Sequence, residues 1–116
     1  MALGWQRFYE TEAVCDCAQI LKWLAAQHPM DARLQNIARK AQLAAVMIIA
    51  REQRDLTAPN ANIIADRQTD CRYCDHSPPC ARCKYASPAA RIDTIRRHIG
   101  QEALDCIEQY AKTKGA

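Results

Sequence analysis

Glycine is scarce in this chain, with 3 among 116 residues, and proline occurs only 5 times. A composition this poor in helix breakers, and rich in Ala, Leu, Ile, Gln and Arg, favours helix over strand. Long apolar runs are missing as well. No stretch approaches the roughly 20 apolar residues needed to cross a bilayer, and the longest, AQLAAVMIIA at residues 41–50, reads as part of a buried helix. The opening residues MALGWQ lack a basic region followed by an apolar run, so export is not expected and a cytoplasmic location is. No P-loop, G-x-G-x-x-G or H-E-x-x-H occurs. His28, His76 and His98 have no nucleophile or carboxylate at a recognisable motif spacing, so no catalytic residue is assigned and no enzyme is expected. Internal repeats and low-complexity tracts are also lacking.

Cysteine, by contrast, is plentiful, with 7 residues. Without an export signal these point to a reducing compartment. Four of them fall within CRYCDHSPPCARC at residues 71–83, as the two Cys-x-x-Cys pairs Cys71/Cys74 and Cys80/Cys83. Each such turn brings two thiolates to one side of a bend, and two turns can supply a tetrahedral set at about 2.3 Å from zinc. Zinc ribbons usually separate the pairs by roughly 15–20 residues. The intervening Asp75-His76-Ser77-Pro78-Pro79 is far shorter, yet at up to about 18 Å it is long enough to fold one pair back on the other. Neither pair is followed by glycine, the residue that most easily takes the positive φ of a tight knuckle. The spacing favours one structural zinc on Cys71, Cys74, Cys80 and Cys83, with His76 as a substitute ligand should one thiolate point away. An iron–sulfur cluster, two disulfides and a redox dithiol are the rival readings. The odd cysteine total speaks against full disulfide pairing.

Around this knuckle the periodicity is helical. Val14, Cys17, Leu21, Leu24 and His28 recur at alternating intervals of three and four, which predicts a helix over residues 6–27 with one apolar stripe. Phe8, Ile20 and Trp23 widen that stripe and suggest more than one neighbour. Pro29 ends the helix. Cys15 and Cys17 point about 200° apart on it, so they read as small packing residues and not as a ligand pair.

A second helix is predicted from near Pro29–Asp31 to about Asp55, with Leu34, Ile37, Ala41, Ala45, Ile48 and Glu52 on one stripe and Leu43, Met47 and Ala50 elsewhere around the cylinder. Apolar nearly all round, it is expected either at the centre of the bundle or in a subunit interface. From residue 56 the pattern breaks: residues 57–62 read as a loop, and residues 63–68 as a short helix or an extended piece that leads towards the knuckle. Ser87 as N-cap and Pro88 at the first helical position announce a third long helix, with Ile92, Ile95, Ile99, Ala103, Cys106 and Tyr110 as its stripe and Gly100 in its middle as the mark of a kink or a close contact.

The expected fold is therefore all-α, a single domain over residues 1–116. It is a small helical bundle of three to four helices with a four-cysteine zinc knuckle inserted at 71–83. Net charge is +3. Both ends carry one more acid than base, so the whole excess lies in residues 31–100. Arg72, Tyr73, Arg82, Lys84, Tyr85, Arg91, Arg96 and Arg97 form a basic and aromatic set suited to a partner or to nucleic acid. Acids interleave them, and no DNA-reading motif is matched. The favoured reading is a zinc-stabilised protein-interaction module, a small adaptor or stoichiometric inhibitor that docks on a larger assembly. The alternative is a nucleic-acid-binding regulator. A protein partner is expected, a homodimer through the second helix is a further option, and no membrane contact is expected.

Overall fold

The computed structural model describes residues 3–57 and 86–115, with side chains placed for 7–54 and 86–112. Every element among them is a helix: α1 (Leu3–Gln27), α2 (Ala32–Thr57), α3 (Pro88–His98) and α4 (Gln101–Gly115). None of these helices is long and apolar enough to cross a membrane. The knuckle at 71–83 and the loop predicted before it lie outside the described residues.

Helices α1 and α2 form an antiparallel hairpin, and local chemistry dictates its turn. Pro29 cannot continue α1, and Asp31 caps α2 by accepting a hydrogen bond from Leu34 N at 3.0 Å. Gln35 reaches back from the first turn of α2, donating to the carbonyls of Ala25 and His28 at 2.9 Å each. It thereby satisfies acceptors that the end of α1 leaves open. Along the seam, Val14, Cys17, Leu21 and Leu24 meet Leu34, Ile37, Ala41, Ala45 and Ile48, all buried. Ala18, Ala25, Ala38, Ala41 and Ala45 let the backbones approach closely. The approach is close enough for Gln42 Nε2 to donate to the Ala18 carbonyl at 2.9 Å across the helix pair.

Helix α3 begins where its sequence announces it. Ser87 is extended at φ −64°, ψ 150°, and its hydroxyl accepts from Ala90 N at 3.2 Å, with Pro88 opening the first turn. The single long helix predicted from here onward is in fact two. Gly100 has φ +128°, which no α-helix contains, so α3 ends at His98 and α4 starts at Gln101. The amides of Ile99 and Gly100 both bond to the Ile95 carbonyl, which closes the last turn of α3. A Cβ at Gly100 would sit 3.6 Å from Lys40 Nζ, an ordinary contact. Backbone conformation, not space, therefore requires glycine there.

The break redistributes the predicted stripe. Ile99, Ala103 and Cys106 are buried, Ile95 and Tyr110 pack against the core, and Ile92 is left exposed.

Of the two positions expected for α2, the bundle centre is not the one it takes: α1 makes most of the contacts between helices, while α2 packs on α1 and α4 alone among the principal contacts. The buried arc of α2 holds Leu34, Ile37, Ala38, Ala41, Ala45 and Ile48. Its opposite arc is open. The two arcs are separated by half a turn, so one neighbour cannot cover both.

Candidate interaction surface

Three features built on this frame bear on function. The first is a buried charge cluster that joins three helices. Glu10 of α1 is only 4% exposed. Its Oε2 lies 3.4 Å from Arg51 Nη2 of α2 and 3.2 Å from His98 Nε2 of α3. Burial alone would raise the Glu10 pKa, but the His98 hydrogen bond and the charges of Arg51 and Arg97 outweigh it and hold the carboxyl below its ordinary value. Arg51 Nε is buried with no hydrogen-bond partner. Arg51 is therefore not a solvated surface charge: its guanidinium is the counter-charge of a buried acid. Glu10 was recognisable in principle: it stands four residues before Val14, on the apolar stripe of α1.

The second feature concerns the arginines. Arg91 is held by two carboxylates of α1, with Nη1 2.9 Å from Glu12 and Nη2 2.7 Å from Asp16. Arg97 pairs with Asp93 at 3.0 Å within α3. Arg96 donates to the Gln101 side-chain oxygen at 2.7 Å. Two of these three cations are therefore already neutralised inside the fold. The other members of the predicted surface, Arg72, Tyr73, Arg82, Lys84 and Tyr85, lie outside the described residues, as do Cys71, Cys74, Cys80, Cys83 and His76.

The remaining cysteines are free thiols. Cys17 and Cys106 are buried and Cys15 half-buried. Burial pushes all three thiol pKa values up, that of Cys17 to about 11, so these are packing residues held in the unreactive form. Among the described residues no group of three His, Cys, Asp or Glu side chains is placed to hold a metal ion. His28 stacks on Tyr110 of α4 with ring centroids 4.3 Å apart, and the Tyr110 hydroxyl donates to Asp31. Together they fasten α4 to the hairpin turn.

The third feature is the open arc of α2. Leu43 is 67% exposed, Val46 66% and Met47 72%, and exposed Ala50 completes the row. These residues follow one another at i, i+3, i+4 and i+7, the spacing of a helix-packing seam. Beside them, between α2 and the end of α3, lies a shallow cleft of about 240 Å³. It is lined by Ala44, Met47, Ile48, Arg51, Arg54 and His98.

Compared with protein-family models, curated proteins and solved structures, the chain finds no match. Its own surfaces must carry the functional reading.

Proposed function

We propose that this chain is a non-catalytic protein-interaction module, a small adaptor or stoichiometric inhibitor that docks on a larger assembly. We further propose that a zinc ion on Cys71, Cys74, Cys80 and Cys83 stabilises it. The observation that carries the interaction reading is the Leu43–Val46–Met47 stripe. Three large apolar side chains contiguous on one helix face, each about two-thirds exposed or more, mark a contact surface and not a random exposed leucine. Supporting it, Arg91 and Arg97 are paired with carboxylates of the same chain, which weakens any continuous track for phosphates.

Binding of random DNA and RNA at physiological salt tests this reading. The expected result is an affinity no tighter than about 10⁻⁴ M, the weak end of non-specific binding. A protein partner should meanwhile be recovered from host lysate after nuclease treatment. Submicromolar, salt-sensitive nucleic-acid binding, lost when Arg96 and Arg97 are both changed to Glu, would replace the interaction reading with the nucleic-acid one. Metal analysis of protein purified without added zinc should give about one zinc per chain. A brown protein containing iron and inorganic sulfide would overturn the zinc assignment.

A further inference from the structure

The chemistry around the α2 stripe narrows the kind of partner. From residue 36 to residue 54 the outward face of α2 runs Asn36, Arg39, Leu43, Val46, Met47, Ala50, Gln53 and Arg54, all exposed. It is an apolar centre with a guanidinium beyond each end and no acid. The sole acid of residues 32–54, Glu52, is half-buried on the other side of the helix, where its charge acts on Cys15 of α1. The adjoining cleft adds the apolar Ala44, Met47 and Ile48 and the basic Arg54 to this face, its other lining residues Arg51 and His98 being engaged by Glu10. Met47 and Arg54 belong to both this outward face and the cleft.

A second copy of this chain fits that face poorly. In an isologous pair the same patch meets itself. An antiparallel pair centred between Val46 and Met47 sets Leu43 against Ala50, but it also sets Arg39 of each copy against Arg54 of the other. A parallel pair sets each arginine against its own counterpart. Both arrangements bring like charges together at the two ends of the seam.

The dimensions point to a helix as the occupant. The stripe from Leu43 to Ala50 is about two turns long and one residue-row wide. It offers a few hundred Å², on the order of half the roughly 800 Å² that each side of a standard interface buries. An amphipathic helix laid along α2 would cover the stripe with its apolar face, seat one side chain over Ala50, where the small Cβ leaves a hole, and another in the cleft. Its flanking residues would then complete the interface against Arg39 and Arg54.

We propose that this face of α2, with the adjoining cleft, docks an acidic amphipathic helix of a partner protein, its apolar stripe on Leu43, Val46 and Met47 and its carboxylates on Arg39 and Arg54. The inference rests on the interaction-module reading and gives it a partner chemistry.

Two synthetic helical peptides of about 21 residues test it, long enough to span the face from Arg39 to Arg54 with about a turn to spare at each end. Both carry the same Leu seam; one is flanked by Glu and the other by Lys. Anisotropy titrations use the full chain and its Met47→Asp and Arg39→Glu/Arg54→Glu variants, each first shown by circular dichroism to melt like the parent. The Glu peptide should bind at least about tenfold tighter than the Lys peptide, a difference of about 1.4 kcal/mol. Met47→Asp should weaken it by about tenfold or more, and Arg39→Glu/Arg54→Glu should invert the preference. Equal binding of both peptides, lost in Met47→Asp, would overturn the acidic partner while keeping the module. Sedimentation showing a dimer that Met47→Asp dissociates would overturn it in favour of a second copy. Absence of binding to either peptide by a monomeric chain would remove this face as a docking site. The module reading would then survive only if one lysate partner is recovered equally by the parent and Met47→Asp.

Discussion

Neighbouring residues on α2 offer the sharpest test of which face is buried. Ile48 is 3% exposed and Met47 72%, although they adjoin in the chain and differ little in hydrophobicity. Truncation to alanine should separate them. Ile48→Ala removes buried methyl and methylene groups and leaves a cavity in the α1–α2 core, at a cost of about 2–4 kcal/mol. Met47→Ala removes atoms that already face solvent and should change stability by no more than about 0.5 kcal/mol. Aspartate widens the gap. At Ile48 it buries an unpaired carboxylate, adding several kcal/mol to the lost transfer energy, enough to unfold much of a domain whose total stability is about 5–15 kcal/mol. At Met47 it costs only the modest helix propensity of aspartate, about 0.5 kcal/mol. Urea unfolding followed by circular dichroism reads the difference directly. With a slope of about 1–3 kcal/mol/M, Ile48→Ala should move the midpoint by about 1–2 M and Met47→Ala by almost nothing. Equal midpoint shifts for the two alanine variants would refute the reasoning, since both faces of α2 would then have to be covered. Repeating the melt at several protein concentrations would tell cover within one chain from cover by a second.

Three further outcomes follow from the packing. Gly100→Ala should destabilise by about 1–3 kcal/mol, because φ +128° is strained for any L side chain, and a melting temperature unchanged to within a degree would place Gly100 in an ordinary conformation. Acidification should destabilise the fold through Glu10: its folded pKa lies below the ordinary 4.5, so the unfolded chain binds the proton more readily. That contribution is present in full above the ordinary value and is lost as pH falls through the depressed one, and an acid limb of the stability curve no shallower in Glu10→Gln than in the parent would refute it. Cys17, with its thiol pKa pushed up to about 11 by burial, should resist a neutral alkylating reagent at pH 8 until the protein unfolds, while half-buried Cys15 reacts sooner, as peptide mapping by mass spectrometry would show.

Much of the helical skeleton was legible from the amino-acid order, because helices are specified locally. Pro29 and Asp31 mark the end of α1 and the cap of α2, and Ser87-Pro88 marks the start of α3, since each acts on backbone groups within a turn of itself. The stripes Val14–Cys17–Leu21–Leu24 and Leu34–Ile37–Ala41–Ala45–Ile48 are likewise a matter of spacing, and both are buried. The four-cysteine motif at 71–83 is plain in the sequence, and its residues fall outside those described.

Only the tertiary structure decided the rest. Periodicity says which residues share a face, not which face meets a neighbour, so the apolar circumference of α2 was compatible with a central position that α1 in fact takes. Gly100 could have stood within one helix; the packing of Ile99 and Ala103 into the same core accompanies a turn there, and only glycine adopts it without strain. The partners of Glu10 and Arg91 lie 41 to 88 residues away in the chain, in elements that local propensity cannot bring together. Long-range ion pairs form because burial of the helix seams places those side chains within reach, and no local pattern encodes that distance.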